Sequence, residues 1–318
     1  MILRYIRTKQ IYNQRIKDSK ANGWVTLYTK EIKKYGLSDF NRLLSENKII
    51  RHETNLNLFT TYVVGDYDLS LLSEPFYKDK LYLKMYDNLL MVELDYQSDN
   101  YDLLWFDMFM KYRANLKSLF FKVDSFSGRI HTPITNLKKE YRANITMKGN
   151  AVKSLDIATM QPILLAKVLY DHIGDNDYSM YIFAGNDIYL LIMERFSLKD
   201  RSLAKDKFYS LLFSAVNNDL CGLFDNNAWL DWINDFKSLK MPENPSNDQK
   251  PYTNLVWLLQ NYEVKIMKGI WTRLIADEIP FLSVHDEIIV CEKHCLDAFM
   301  IMHEELEREL GTVKINIH

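Results

Sequence analysis

Two acidic residues far apart in the sequence stand where predicted strands end, and together they could support metal-assisted chemistry on phosphates. Asp286 lies in the stretch Phe281–Val290, which predicts two apolar strands joined by a short turn bearing His285, Asp286 and Glu287 at its tip. Asp156 ends the apolar strand predicted over 151–158. Carboxylates that converge from separate segments are typical ligands of paired divalent cations. Taken alone, the turn is explained as well by an acidic hairpin tip in solvent.

A third segment carries cations at a helical spacing. The helix predicted from about Leu198 to Phe213 repeats Arg201, Lys205 and Tyr209 every four residues, which places the three side chains along one face. Two cations and a flat ring on one face could grip a triphosphate and stack on its base. The plainer interpretation is two solvated surface cations and one core tyrosine.

The elements that must hold these residues predict an α+β fold. A helix from Met160 to about His172 follows Asp156, and a long helix precedes the charged hairpin. The region 66–120 is aromatic-rich and mostly helical, and three prolines predict an exposed loop over 239–252. The remaining predicted elements are helices over Tyr86–Leu94, Leu103–Phe121, Asn254–Ile275 and Lys293–Leu310, and a last strand over Val313–Ile317.

The first 65 residues are basic, whereas the rest of the chain is acidic. They hold twelve Lys or Arg against five Asp or Glu, a net charge of +7, which leaves −9 for the remainder of a chain whose total is −2. A basic module on an acidic body suits an enzyme that binds a phosphate backbone and holds cations with carboxylates. A solvated basic face explains the same count.

The pattern within this basic segment is helix, turn, helix, hairpin, which resembles a winged helix. The first helix is predicted over Thr29–Tyr35, and the second follows Gly36 with Ser38 as its N-cap. Strands are predicted over Lys48–His52 and Asn57–Val64. The side chains expected to face nucleic acid are Asn41, Arg42 and Lys48 on the second helix side and Arg51 and His52 on the wing.

Composition excludes several other classes of protein. No run of eighteen apolar residues or signal-peptide pattern is present, so we expect no membrane partner and a cytoplasmic location. The three cysteines form no disulfide framework, and the group Cys291, His294 and Cys295 lacks a fourth zinc ligand. The glycine motifs of P-loop and Rossmann proteins are absent.

Four segments occur in the order found in family A DNA polymerases, the DNA polymerase I type, and the chain resembles that family over about residues 120–318. Four motifs in the right order are far more specific than any one of them. The matching segments are Ser127-Gly128-Arg129-Ile130 with Asn136-Leu137, Ser154 through Gln161 (motif A), Arg201, Lys205, Tyr209 and Phe213-Ser214 (motif B), and Val284-His285-Asp286-Glu287 (motif C).

The resemblance implies a polymerase palm, an antiparallel sheet with helices, together with helical fingers. It implies that Asp156, Asp286 and the backbone carbonyl of Ile157 hold two Mg²⁺ ions, for which Mn²⁺ could substitute. The residues implied to bind the nucleotide are Arg201, Lys205, Tyr209, Gln161 and Ile157, with Lys205 also catalytic; those implied to bind DNA primer–template are Arg129, Asn136, His285, Gln260 and Phe213. The substrates implied are deoxynucleoside triphosphates.

These expectations divide the chain into five parts. They are a winged-helix-like module (1–66), a helical connector or reduced thumb (67–120), the first part of the palm (121–175), the fingers (176–255) and the second part of the palm (256–318). The part that precedes the palm is too short for an exonuclease domain plus a full thumb, so we expect a compact polymerase without proofreading, of the kind found in a phage or plasmid.

Two departures from the family pattern keep other functions open. Motif A commonly has Glu at the position of Gln161, where it helps to exclude a ribose 2′-hydroxyl, and motif B commonly ends in Tyr-Gly rather than Phe213-Ser214. A primase or RNA polymerase-like enzyme that uses ribonucleotides is therefore one alternative. The other is a non-catalytic DNA-binding replication initiator with a polymerase-like body.

Overall fold

The computed structural model describes Ile2, Ile6 and Met110 and the ranges 25–46, 48–55, 58–63, 79–94, 119–246, 250–311 and 313–318. The chain forms two compact units. The first comprises Met1–Lys78, Glu93–Phe120 and Lys139–Ile145, and the second comprises Asp79–Val92, Phe121–Lys138 and Thr146–His318. The fold is a mixture of helices and antiparallel strands, as the α+β prediction requires.

The described ranges contain both helices and strands. They are β1 (Val25–Tyr28), α1 (Thr29–Tyr35), α2 (Leu37–Ser45), β2 (Ile49–Asn55), β3 (Leu58–Val63), α3 (Lys80–Leu89), β4 (Val92–Leu94), β5 (Lys122–Val123), β6 (Ile130–His131), α4 (Lys139–Arg142), β7 (Ile145–Met147), β8 (Asn150–Ile157), α5 (Met160–Ile173), α6 (Asp177–Phe183), α7 (Ile188–Arg195), α8 (Arg201–Phe213), α9 (Ala228–Ser238), α10 (Asn254–Ala276), β9 (Phe281–Val284), β10 (Glu287–Cys291), α11 (Cys295–Leu310) and β11 (Ile315–Ile317).

The first unit contains a three-stranded antiparallel sheet in the order β1-β3-β2, with α1 and α2 between β1 and β2 in the chain. Apolar side chains at helical spacing, Ile32 on α1 and Phe40 and Leu43 on α2, are buried. The predicted order of helices and hairpin is confirmed, and α1 has the predicted bounds. The assignment to a winged helix and the five-part division stay predictions.

The predicted N-cap of α2 is wrong. The helix begins at Leu37 with Gly36 as its N-cap, and Ser38 lies inside the first turn without a capping role. Gly36 has a φ of +106°, a conformation that glycine adopts without the steric cost a Cβ would bring, so the helix is capped two residues earlier than predicted.

Two of the basic side chains expected to face nucleic acid are engaged in ion pairs. Arg42 lies 3.3 Å from Glu46 and 3.7 Å from Asp39, and Lys48 lies 2.7 Å from Glu46. All of these groups are at least partly exposed, so the pairs contribute little to stability and can exchange for phosphate.

The sheet of the second unit is organised around β8. Strand β10 pairs antiparallel with one edge of β8, with Glu287 opposite Asp156, and β9 continues the sheet beyond β10. On the other edge, β11 pairs with the end of β8 that carries Asp156, and β7 pairs with its beginning. All of β9 and β10 is buried, which explains the continuous apolar sequence of both arms.

Helix α10 is the long central helix of this unit. It contacts α5, α8, α9 and α11, and 11 of its 23 residues are buried. Its observed range differs by one residue from the predicted Asn254–Ile275. Among the described residues, no helix combines the length and apolarity needed to cross a membrane.

The helix predicted over Tyr86–Leu94 is wrong at both ends, and α3 begins at Lys80, six residues before Tyr86. Helix α3 ends at Leu89, the Leu90 N–H bonds back to the Tyr86 carbonyl, and Val92–Leu94 is a strand. The apolar residues after Leu89 continue the hydrophobic pattern without continuing the helix, which is the usual ambiguity of short apolar runs. Most of the predicted Leu103–Phe121 helix lies outside the described residues.

Side-chain caps set the bounds of the helices that follow α5. Asp187 accepts from Tyr189 N at the start of α7, and Asp200 accepts from Ser202 N and Leu203 N at the start of α8. Helix α8 therefore begins at Arg201 rather than at the predicted Leu198. Its buried side packs Phe208 against Tyr178, and Tyr178 stacks in turn on Trp229.

A buried lysine caps the C-terminal end of α8. The ammonium group of Lys237, on α9, donates to the carbonyl of Leu211 and, at 3.0 Å, to that of Ser214, and the side chain is 1% exposed. A cation at a helix C-terminus satisfies carbonyls that have no partner within the helix and interacts favourably with the helix dipole. Burial lowers the pKa of Lys237 to about 8.

Truncation of this lysine tests its role in holding α8. We expect Lys237→Ala to lower the free energy of unfolding by about 2–4 kcal/mol, because it leaves a cavity and two carbonyls without their donor. Urea unfolding at pH 7 measures the change. Lys240→Ala, at an exposed position nearby, is the control and should change it by less than about 0.5 kcal/mol. Equal stabilities of the two variants would show that Lys237 has no such role.

Candidate active site

Strand pairing brings Asp156 and Asp286 to the same place. Asp156 is the next-to-last residue of β8, and Asp286 is in the two-residue turn between β9 and β10. Ile157 N donates to the Asp286 carbonyl at 3.3 Å, so the turn abuts the end of β8. The prediction that these two acids converge is thus confirmed by the strand pairing.

The turn itself differs from the prediction in one respect. Only His285 and Asp286 form it, and His285 adopts a φ of +58°, which is uncommon for residues other than glycine. Glu287 was expected at the tip, but it is the first residue of β10, is 7% exposed and accepts a hydrogen bond from the Ser154 hydroxyl. Because a two-residue turn pairs Glu287 directly with Val284, the side chain is drawn into the sheet.

The pKa of Asp286 is far above its ordinary value. Burial is the largest cause, followed by the negative charges of Glu263 and Asp156, while Arg129 acts in the opposite direction; the result is a pKa of about 7. Three carboxylates are therefore close enough to repel one another, and a single guanidinium only partly compensates them. Perturbed groups of this kind are more frequent at functional sites than elsewhere.

Glu263 ties Arg129 and Gln161 together. Its carboxylate accepts from Arg129 Nε at 2.9 Å and Nη2 at 2.6 Å, and from Gln161 Nε2 at 2.6 Å. The three residues come from the loop before β6, the start of α5 and the middle of α10. Glu263 is not among the site residues predicted from the sequence. The available signal was an acid on the apolar face of a long helix, four residues after Leu259 and four before Met267, both of which are buried.

The loop that carries Arg129 is held by Asp124. This carboxylate accepts from the backbone N–H groups of Phe126 and Ser127 and from the Ser127 hydroxyl, and it lies 3.3 Å from His131 Nε2. Burial opposes ionisation of Asp124, but these hydrogen bonds outweigh it and lower its pKa. The sequence Ser127-Gly128-Arg129 is thereby fixed on the hairpin of β5 and β6.

Tyr209, at the C-terminal part of the predicted face of α8, lies near the acids. The negative charge of Asp286 contributes, after burial, to a raised pKa of Tyr209, and the Tyr209 hydroxyl is hydrogen-bonded to that of Tyr189. The Lys205 ammonium lies 5.6 Å from the centre of the Tyr209 ring. The ring of Phe213 stacks on Tyr209 with the centres 5.7 Å apart.

Arg201 has partners that the sequence did not indicate. Its guanidinium donates to Asp187 Oδ2 at 3.0 and 3.2 Å and lies 4.6 Å from the centre of the Tyr189 ring. Asp187 is also the cap of α7, so one carboxylate fixes both a helix start and a cation.

The remaining predicted site residues, His285, Asn136 and Gln260, have fewer defined contacts with the acids. His285 is next to Asp286 in the turn, and its ring meets that of His131 edge-on, 6.0 Å between centres. Asn136 is exposed, and Gln260 is partly buried one turn before Glu263 on α10. Among the described residues, neither Asn136 nor Gln260 has a hydrogen bond to Asp156 or Asp286.

A cavity of about 510 Å³ opens beside this group of acids rather than over it. It begins at Ala158 and Thr159, just after β8, and neither Asp156 nor Asp286 lines it. Three basic side chains, Lys167, Arg308 and Lys314, line its wall, but Lys167 is paired with Asp171 and Arg308 with Glu305.

The donor set of the acids suits a hard divalent cation. Asp156 and Asp286 offer carboxylate oxygens at the end of β8, where Ile157 adds a backbone carbonyl, and their mutual repulsion is what a bound cation would relieve. In the described ranges no group of three or more His, Cys, Asp or Glu side chains could hold a metal ion. The pair fits oxygen coordination completed by a substrate and water.

Comparisons with known proteins identify no family for this chain. No protein-family model matches it, and no curated protein matches it. Among solved structures, the polymerase domain of Pol1 from M. smegmatis, in complex with DNA primer–template and dNTP, is similar at 14% identity and a TM-score of 0.49. The likeness covers 68% of this chain and 50% of that chain, so this chain spans about half the length of that domain. A similarity this distant supports no inference about function.

The raised pKa of Asp286 predicts how stability depends on pH. An unfolded chain releases this proton near pH 3.8 and the folded chain near pH 7, so the free energy of unfolding falls as pH rises between these values and the loss is complete above them. In the absence of divalent cations, Asp286→Asn should therefore be more stable than the unmodified chain at pH 8 by about 1–3 kcal/mol, since each pH unit corresponds to about 1.4 kcal/mol and the side chain is only partly buried.

Urea unfolding in EDTA at pH 8 and at pH 5 measures this difference, which should shrink at the lower pH. Asp235→Asn, at an exposed position on α9, is the matched control and should show no gain at either pH. If both variants gain the same free energy of unfolding at pH 8, the gain does not come from removing the charge of Asp286, and the prediction is refuted.

Proposed function

We propose that the chain is a template-directed nucleotidyltransferase, and specifically a DNA polymerase that extends a primer 3′-hydroxyl without proofreading. The observation that carries the proposal is the convergence of Asp156 and Asp286 at the end of β8, next to a helix face with Arg201, Lys205 and Tyr209. The four sequence segments that resemble family A polymerases contribute to this one region, and separate elements supply them.

Asp156, Asp286 and the carbonyl of Ile157 would hold two Mg²⁺ ions, or Mn²⁺ in their place. When bound, the cations supply activation of the attacking hydroxyl and charge neutralisation at the leaving pyrophosphate. The protein contributes the oxygen ligands and a sheet that fixes them. Burial of the two strands that flank the Asp286 turn limits the movement of this acid, as a positioned displacement reaction requires.

Arg201 and Lys205 would bind the triphosphate, and Tyr209 and Gln161 would contact the sugar and base. Arg201 would exchange Asp187 for a phosphate oxygen, because its guanidinium can make the same paired hydrogen bonds to either group. Lys205 is exposed and already lies over the Tyr209 ring. A flat ring beside a cation suits a base next to a phosphate chain.

Primer–template DNA would be bound by groups around the same acids. His285 precedes Asp286 in the turn, so it would lie by the primer terminus. Arg129 would donate to the DNA on the opposite side of the acids, with Asn136, Gln260 and Phe213 further along it. The basic first 65 residues, net charge +7, would grip the duplex through its phosphates.

The first test of this function is loss of the two acids. We expect Asp156→Asn and Asp286→Asn each to lower the rate of Mg²⁺-dependent primer extension about a thousandfold or more, because each removes a ligand charge from the reacting centre. Single-turnover extension of a labelled primer–template measures the rate. Asp235→Asn is the control and should retain the unmodified rate.

The same assay separates catalysis from simple DNA binding. Incorporation that survives both Asn substitutions would refute the two-acid mechanism. An unmodified chain that binds primer–template but incorporates nothing would instead support a non-catalytic replication initiator. The mutually repelling acids argue against the initiator, since a DNA-binding body has no use for a costly group of carboxylates.

Gln161 is the observation that favours a second candidate, an enzyme that uses ribonucleotides. Its neutral amide, rather than a carboxylate, stands at the start of α5 five residues after Asp156. We expect kcat/KM for dNTPs to exceed that for NTPs by only about ten- to a hundredfold, because a site without a dedicated repulsive group discriminates weakly against one added hydroxyl.

Single-nucleotide extension with each dNTP and its matching NTP, offered separately, measures this ratio. A primer-free template is included to detect initiation without a primer. A ratio below one, or products on the primer-free template with NTPs alone, would replace the DNA polymerase with the primase or RNA polymerase-like enzyme.

A further inference from the structure

Glu263 is a buried acid that the proposed chemistry does not itself use. It is 2% exposed, and the neighbouring side chains on its face of α10, Leu259, Ile266 and Met267, are buried and apolar. A carboxylate in such surroundings is costly unless it is paired and fully hydrogen-bonded. Its retention therefore depends on its partners.

Those partners leave defined atoms for a ligand. Arg129 uses Nε and Nη2 on the carboxylate, so its Nη1 edge still has two N–H donors. Gln161 uses Nε2, and within the described part of the chain no donor is bonded to its Oε1 atom. The carboxylate thus determines which edge of the guanidinium and which end of the amide the site offers.

The same arrangement distinguishes the two ends of the Gln161 amide. An amide can present either a donor or an acceptor, and the two orientations are nearly isosteric. A negatively charged neighbour accepts only, so the NH₂ end must turn toward Glu263 and the carbonyl end away from it. Arg129 neutralises the carboxylate and is held in a planar, two-bonded geometry that a lysine could not adopt.

We propose that Glu263 is a positioning residue that sets the orientation of Arg129 and Gln161 toward bound nucleic acid and nucleotide. The proposal rests on the proposed function for the identity of the ligand. Arg129 then presents the two N–H donors of Nη1 to acceptor atoms of the bound nucleic acid. Gln161 presents an acceptor to a hydroxyl of the incoming sugar.

A double-mutant cycle between Glu263→Gln and Arg129→Lys tests the proposal. Each single variant should raise the Kd for a labelled primer–template duplex about tenfold, and the double variant should also raise it about tenfold rather than a hundredfold, because both remove the same oriented contact. Fluorescence anisotropy in EDTA measures Kd without any catalysis. Additive losses, or an unchanged Kd for Glu263→Gln, would overturn the proposal.

The control is a second buried acid with similar surroundings. Glu305 on α11 is 2% exposed and bonded to Arg273 and Arg308, but it lies in a separate ion-pair group. Glu305→Gln should lower the melting temperature comparably and leave Kd within about twofold. If Kd rises equally in both variants, the effect of Glu263 is one of general stability and the proposal fails. If Glu263→Gln does not fold, Glu263→Asp replaces it in the cycle.

A second readout connects the proposal to the chemistry. In single-nucleotide incorporation, Glu263→Gln should raise KM for the nucleotide about tenfold. The exchange variant Gln161→Glu/Glu263→Gln should have a KM between that of Glu263→Gln and that of the unmodified chain, because one carboxylate and one amide again face each other. An exchange variant no better than Glu263→Gln would count against Gln161 as a partner. If the unmodified chain binds DNA but incorporates nothing, the polymerase fails while the cycle on Kd still judges the positioning role.

Discussion

The antiparallel pairing of β8 with β10 is the constraint on which the site depends. It places Glu287 opposite Asp156 and brings the Asp286 turn against the end of β8. The apolar residues of β9 and β10 are buried throughout, so the free energy of burying them holds two like charges near each other. Burial, followed by the negative charges of Glu263 and Asp156, raises the pKa of Asp286 to about 7. The buried core thus keeps the two carboxylates close together, although their charge repulsion alone would drive them apart.

The cations around these acids are held in ion pairs with carboxylates of the scaffold. Arg129 is bonded to Glu263 and Arg201 to Asp187, and both acids are themselves part of the scaffold, one in α10 and one as the cap of α7. Such pairs keep the cations oriented in the absence of a ligand. The two pairs differ in burial: Glu263 is almost fully enclosed, whereas the Arg201 pair is more exposed and better able to open.

Helix α8 illustrates how a functional face depends on remote contacts. Asp200 caps its start, Lys237 from α9 closes its end, and Phe208 anchors its buried side against Tyr178. Lys205, Tyr209 and Phe213 are then presented on a helix whose position is fixed at both ends. The negative charge of Asp286 contributes to the raised pKa of Tyr209, so this helix lies close to the acids of the sheet.

Local sequence determined most of the elements and the identity of the two acids. The period of apolar residues was sufficient for α1, α5 and α10, and the spacing of Arg201, Lys205 and Tyr209 was sufficient for one face of α8, because these patterns reflect backbone geometry over a few residues. Prediction from the local pattern was wrong where a single residue decides at which position a helix begins or ends. Helix α2 begins directly after Gly36, so Ser38 does not cap it. Helix α8 begins at Arg201 because Asp200 caps it, and the strand β4 follows Leu89.

Only the tertiary structure decided what the acids are near. Glu287 looked like a turn residue but was drawn into β10 by the two-residue turn, and Glu263 looked like one charge on a long helix. Its bonds to Arg129 and Gln161 join positions 134 and 102 residues away, which no local pattern encodes. The pKa of Asp286 likewise depends on burial and on charges from other segments. The sequence by itself determined which groups could do the chemistry, and the packing of distant segments decided how they are oriented, charged and paired.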